Sequence, residues 1–295
     1  MVKPQRIVVG VDVDGSTDLA VTAAIELAQR FHAEFEMVHA VPSADRLSAE
    51  QAEGRLAQAR RAVRVHLEAS LPGAMLPYVS EEHHLLVRAG AQGEVLLARA
   101  SEPGAGLLVL GAHRRRGLLD LRSTAHYLLA RAPCPVWVQA GEVRPVRRIL
   151  VPVDLSDESL AALARACRWG REFGASVTAL SCFETPEFAY GPDGPAVGPT
   201  YVLDHLREDS RAAFEKVMAG FEWGEVPHAT LFQESHPVAA ILAHQDEADL
   251  IMLGTHGRTG LSALLLGSVA NSVVREAHVP VVTLRAGSRR WLRPD

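Results

Sequence analysis

The chain has 295 residues, 48% of them hydrophobic, and a formal net charge of −5. That size accommodates two medium domains with sizeable cores. Lysine and arginine are scattered with no basic stripe, which argues against nucleic-acid binding, and no apolar run reaches the roughly 20 residues that cross a bilayer, so no membrane partner is expected.

In chain order, the opening MVKPQRIVVGVD runs directly into a strand pattern without the charged and apolar regions of a secretory signal. Cys134, Cys167 and Cys182 are too few and too widely spaced for a disulfide framework or a four-ligand zinc site. The expectation is a soluble, cytoplasmic protein. After the strand ending at Asp12, a helix is predicted behind a Ser16 cap, burying Val21, Ala24, Ile25 and Ala28. Further on come the strand and loop LLVLGAHRRRGL, from Leu107 to Leu118, and a closing strand, Pro135 to Gln139.

The chain then repeats itself. RIVVGVD at Arg6 recurs as RILVPVD at Arg148, LLVLGAHRRRGL as LIMLGTHGRTGL at Leu250, and APCPVWV at Ala132 as AHVPVVT at Ala277. The predicted domains are 1–141 and 146–287. Between them, Ala140 to Val146 interrupts the hydrophobic pattern and contains Pro145, a short connector that should hold the copies together.

In the second copy, predicted strands at Ile149 to Val153, Val177 to Phe183, Ala229 to Gln233, Leu250 to Leu253 and Pro280 to Leu284 alternate with four helices, the pattern of a parallel α/β sheet. The first helix should be capped by Ser156 and bury Leu160, Leu163, Ala164 and Cys167; the second should bury Phe214, Val217, Met218 and Phe221.

An open α/β sheet binds ligands beyond the carboxyl ends of its strands. Asp154 lies there, directly after ILVPV, and so does Gly254-Thr255-His256-Gly257-Arg258-Thr259-Gly260, directly after LIML. The glycine segment continues to Gly267 and Ser268, giving the spacing G-x2-G-x9-G-S. Glycines let backbone N–H groups approach an anion, and Gly267-Ser268 open a helix whose free N–H groups favour negative charge. Arg258 is either a phosphate ligand or a solvated loop residue. Asp154 suits a ribose hydroxyl or an adenine amino group, or else caps a helix.

These residues, together with the closing HVPVV, resemble the universal stress protein family over nearly the whole chain, twice. The resemblance implies two tandem Rossmann-like domains of the adenine nucleotide alpha hydrolase-like type, each a five-stranded parallel sheet with about four helices. It implies adenosine near Pro152, Val153, Asp154 and Cys182, the cysteine contributing backbone atoms, and phosphates along Gly254 to Gly260 and Gly267, Ser268, Val269 and Ala270. It also implies ATP as the ligand, accompanied by Mg²⁺ or Mn²⁺, although no dedicated metal cage is visible.

In the first copy the motif becomes Gly111-x2-Arg114-x7-Arg122-Ser123. Asp12 and the strand-two residue Ala40 remain as weaker candidates, but the cradle is lost and little or no ATP binding is expected there. Arg114, Arg115, Arg116 and Arg122 are either a site for another acidic group or a solvated face. His113 and His256 read as hydrogen-bonding loop residues. Pro135 to Gln139 and Pro280 to Leu284 read as sheet edges that pair with each other or across a homodimer. Glu184 to Thr200, rich in Gly and Pro, reads as a lid, a partner-binding loop or a plain connection. The leading function is a nucleotide-dependent regulatory protein of the stress response, which need not be an enzyme. Slow ATP hydrolysis or autophosphorylation, with Ser268 as acceptor, and a scaffold without nucleotide are the alternatives.

Overall fold

The computed structural model describes residues 4–43, 48–80, 84–112, 124–185, 190–191, 194–195, 200–255 and 266–285. The first copy runs β1 (Arg6–Gly10), α1 (Asp18–Phe31), β2 (Glu34–Val41), α2 (Ala49–Ser70), α3 (Leu76–Ser80), β3 (Leu85–Ala89), α4 (Gln92–Ser101), β4 (Ala105–Gly111), α5 (Thr124–Arg131) and β5 (Val136–Gln139). The second runs β6 (Arg148–Pro152), α6 (Asp157–Phe173), β7 (Ser176–Phe183), a two-residue pair β8 (Tyr190–Gly191) and β9 (Gly194–Pro195), α7 (Thr200–Ala219), β10 (His228–Glu234), α8 (Pro237–Ala243), β11 (Leu250–Gly254), α9 (Ser268–Glu276) and β12 (Val281–Leu284). Among the described residues no helix is long and apolar enough to cross a membrane.

All ten long strands form one sheet in the order β3-β2-β1-β4-β5-β12-β11-β6-β7-β10. Within each copy every pairing of this sheet is parallel, and the separate two-residue pair β8–β9 is antiparallel. The closing strands pair with each other, antiparallel, with Val138 opposite Val281 and Val136 opposite Thr283. They are therefore interior strands rather than edges, and β3 and β10 take the edge positions. The hydrophobic runs read from the sequence are buried on both faces, as a covered parallel sheet requires: Ile7, Val8 and Val9 in β1 and Ile251 and Met252 in β11 are each 0% exposed.

The helices cover both faces. Val21, Ala24, Ile25 and Ala28 of α1 are buried as their spacing predicts. The stripe of α6 is rotated from expectation. Leu163 and Cys167 are buried, but Ala162, Ala166 and Trp169 complete the inner face while Leu160 and Ala164 are only partly covered. The rotation brings Trp169 against Phe31 and Trp137, with ring centroids 5.4 and 6.2 Å apart, a better use of a large ring than exposing it. In α7, Phe214 and Met218 are buried and Val217 partly so, whereas Phe221 lies beyond the helix end and packs on Trp223. Among the described residues the first copy carries five α-helices rather than about four, because α3 forms before β3.

Candidate functional site

The register of β1 with β2 and of β6 with β7, together with the left-handed C-caps of α1 (His32) and α6 (Gly174), aligns Asp12 with Asp154, Thr17 with Ser159 and Ala40 with Cys182. In the second copy the turn after β6 is tight. Asp154 Oδ1 accepts from the Ser156 amide at 3.0 Å and from its hydroxyl at 2.5 Å, and Leu155 is held at φ 65°. A left-handed leucine costs about 1 kcal/mol, and the Asp154–Ser156 bonds hold the turn in that shape. Ser156 then caps α6 by accepting from the Ser159 amide at 3.3 Å, as expected from the sequence.

In the first copy the same length of chain folds differently. Asp14, not Asp12, closes the turn by accepting from Ser16, and Gly15 takes the positive φ of 79°. The N-cap of α1 is Thr17, which forms no side-chain cap bond; the predicted Ser16 cap is incorrect because the turn closed by Asp14 leaves Ser16 one residue ahead of the cap position. Thr17 Oγ1 instead accepts from the Asp12 amide at 2.9 Å. Helix α1 thus begins one turn later than α6, and its positive end sits further from the aligned aspartate.

Around Asp154 the strand ends open into a cavity of about 290 Å³. Pro152, Val153 and Asp154 line it from β6 and its turn, Cys182 from β7, Gly254 and Thr255 from β11, and Gly267, Ser268, Val269 and Ala270 from the start of α9. Ten of the sequence-predicted residues therefore share one cavity. His256, Gly257, Arg258, Thr259 and Gly260 lie outside the described residues, as do Arg114, Arg122 and Ser123 of the first copy.

The cavity brings a helix end to face a strand end. No side chain caps α9 at Gly267, and the Gly267 amide donates to Thr255 O at 2.8 Å, clamping the two halves of the glycine motif together. The first-turn amides of a helix have no intrahelical acceptor, so this wall favours negative charge. Burial pushes the Cys182 thiol up to about 11, so it is a neutral, weakly polar part of the wall. Sequence reasoning missed Ser159, Leu180, Pro237, Ile241 and Leu253, which complete the lining. Pro237 and Ile241 come from α8, a helix whose proline at the first position marks its start, but nothing local aims it at Asp154. Gly254 also has a packing reason: a Cβ there would lie 3.0 Å from Glu158 Cβ, and at Gly111 only 2.7 Å from Ser16 O.

In the first copy, Asp12 and Ala40 line a different, wider cavity of about 630 Å³ with His39, Gly90 and Gln92, and neither Gly111 nor α5 contributes to it. The inner space is closed. Thr124 Oγ1 donates to Gln92 Oε1 at 3.2 Å across the starts of α5 and α4, and Leu96 rests over Gly10, where a Cβ would be 3.0 Å from it. The ring of Tyr127 presses on Gly93, where a Cβ would be 2.8 Å away. The residues of the second copy aligned with Thr124, Gln92, Leu96, Gly10, Tyr127 and Gly93 are, in that order, Val269, Pro237, Ile241, Pro152, Ser272 and Val238.

Among the described residues, no group of three or more His, Cys, Asp or Glu is placed to hold a metal ion. A metal at this site would have to be held largely by a ligand's phosphates and water, the usual arrangement for Mg²⁺.

The model of the universal stress protein family matches the chain twice, over residues 3–139 and 145–285. A universal stress protein of Methanocaldococcus jannaschii is 36% identical over 143 residues, covering 47% of this chain and 82% of the relative. One of Mycolicibacterium smegmatis is 28% identical over 297 residues, covering 95% and 96% of the two chains. The crystal structure of a universal stress protein from Archaeoglobus fulgidus shares the fold across 96% of this chain and 99% of that one, with a TM-score of 0.60 at 16% identity.

Proposed function

The chain belongs to the universal stress protein family, with two of its domains in tandem, and on that premise we propose that the second copy binds ATP and that its occupancy regulates the protein during stress. The domains are taken as 1–141 and 146–287. The observation that carries the reading is the cavity of about 290 Å³ that joins Asp154 to the uncapped start of α9. Its volume is at the small end of the range for ligand sites, about 300 Å³ and upward, which suits an adenosine with the phosphates running out toward the glycine loop. Leu180, Ile241 and Leu253 supply apolar walls for a base, Asp154 an acceptor for ribose hydroxyls, and the α9 amides a place for phosphate oxygens.

The described cavity offers Asp154, Ser159, Thr255 and Ser268 as its oxygen-bearing side chains, without a base positioned on a nucleophile among these residues. That favours binding over chemistry. A homodimer belongs to the same reading, in a soluble cytoplasmic protein; since β5 and β12 pair within the chain, it would use β3, β10 or helix faces. Calorimetric titration of nucleotide-stripped protein with ATP and Mg²⁺ tests the proposal, with and without ATP protecting Cys182 from alkylation. One site per chain, with slower Cys182 labelling when ATP is bound, is expected; no binding would leave a scaffold, and two sites would refute the closure of the first copy.

A further inference from the structure

Away from both strand-end clefts, a cavity of about 270 Å³ lies at the seam between the copies. It exists because the connector after β5 passes beside α1 before entering β6. Its wall is apolar: Leu27 and Trp137 are 6% and 3% exposed, Val146 is 9% exposed, and Phe173 closes it from α6. Trp137 Nε1 donates to Gln139 Oε1 at 2.8 Å, and the Gln139 amide nitrogen donates to connector carbonyls at 3.2–3.5 Å. The polar atoms of this wall are thus satisfied, and it presents hydrocarbon and ring surface.

The rim is charged. Glu26 and Arg30 stand one turn apart on α1, and Arg144 and Arg147 stand on the connector. Arg144 pairs with Glu142 at 3.0 Å. The guanidinium groups of Arg30 and Arg147 form no ion pair with any described residue, and Arg147 engages Asp249 only through its backbone amide. Partial burial raises the Glu26 carboxyl from its ordinary value, which lessens the repulsion it offers to an anion at this rim. On α6 the aligned residues are Arg168 and Glu172, the reverse order of charge, so the rim is not repeated on the other side of the seam.

We propose that this cavity binds an anionic amphiphile, a medium-chain alkyl or aryl carboxylate whose apolar body lies against Trp137 and Phe173 and whose head group is taken by Arg30 and Arg147. Guanidinium forks match carboxylate geometry, and the cavity's size, near the lower end for ligand sites, limits the body to a short chain or a compact ring system. Because the ligand would touch α1, the connector, α6 and Pro280 beside β12, its binding bears on both copies at once. This site is independent of the nucleotide reading.

The test is calorimetric titration of the nucleotide-free, full-length protein with decanoate, below its micellar concentration, beside decylamine as the cation of equal chain length. Decanoate is expected to bind once per chain and decylamine far more weakly. Arg30→Gln combined with Arg147→Gln, both exposed positions, should weaken decanoate at least tenfold while leaving circular dichroism and the ATP titration unchanged. Val143→Trp, which fills the cavity, should abolish binding. Absence of decanoate binding at millimolar concentration, equal binding of the amine, or an unchanged affinity in the double arginine variant would each overturn the proposal.

Discussion

Where α8 and α9 begin in the second copy stand Pro237 and Val269, which have no side-chain hydrogen bond to exchange; in the first copy the aligned Gln92 and Thr124 bond at 3.2 Å. Around that difference the copies diverge together. Ile241 beside Pro152 borders open space, while Leu96 lies on Gly10; Ser272 is small where Tyr127 fills. Loss of the glycine motif in the first copy is thus matched by side chains that occupy the room a ligand would need. A single backbone design carries an open cleft or a closed one according to five or six side chains, without any change in sheet order.

The comparison can be broken or sharpened experimentally. The largest effect is expected at the strand-end glycines. A Cβ at Gly111 would meet a backbone oxygen at 2.7 Å, whereas at Gly254 it would meet a side-chain carbon at 3.0 Å. Gly111→Ala should therefore destabilise by about 3 kcal/mol and Gly254→Ala by about 1, read by urea denaturation; equal losses would show that the two turns are equally tight. Next, Pro237→Gln with Val269→Thr transplants the first copy's bridge. ATP affinity in calorimetry should fall about 30-fold, ~2 kcal/mol, and an unchanged affinity would mean the bridge is not what closes a cleft.

A smaller effect separates the strand starts. Asp249 accepts from the Arg147 and Arg148 amides at 3.0 and 2.9 Å and from the Arg148 guanidinium, while the aligned Arg6 reaches Glu102 only at 3.6 Å. Burial raises the Asp249 carboxyl, but the Arg148 hydrogen bond and the two amides outweigh it and hold it below the ordinary range. A depressed folded value gives stability that is present above the unfolded carboxylate pKa and lost as pH falls through the folded one. Asp249→Asn should cost about 1.5 kcal/mol at neutral pH, and the gap in melting temperature between variant and wild type should begin to narrow below about pH 4 and close only as pH falls through the lower folded value; a gap independent of pH would sink this account. Least of all, Ser156→Ala removes a working cap and should cost about 1 kcal/mol, whereas Ser16→Ala, outside any cap, should cost less in the same thermal melts.

Much of this was legible in the sequence. Strands announce themselves by buried β-branched runs, and the predicted strands of the second copy match the observed ones to within a residue or two: Ile149 to Val153 against Arg148–Pro152, Pro280 to Leu284 against Val281–Leu284. The repeat revealed the tandem, and the strand-end position of Asp154 and the glycine spacing pointed to residues that the fold brings around one cavity. What escaped was set by packing between distant segments. The rotation of α6 follows from Trp169 meeting Phe31 and Trp137, and neither partner is near it in the chain. Ser16 looked like a cap because serine before an acidic helix start usually is one, but the turn through Asp14 and Gly15 delays the helix to Asp18 and leaves Ser16 one residue short of the cap position. The walls supplied by Ile241 and Leu180 carry no local mark, since an apolar residue lining a cavity and one lining the core have the same spacing.

The antiparallel bond between β5 and β12 has a further consequence. Two separate chains that met through their closing strands would hold together only above some concentration, and every substitution at the contact would appear on both sides of it. Here the contact is made inside one polypeptide, so it survives any dilution, and a change on one side is answered by nothing on the other. Glu26 could come to stand where the other copy has Arg168, and Gln92 where it has Pro237, because a gene that encodes both copies can edit them one at a time.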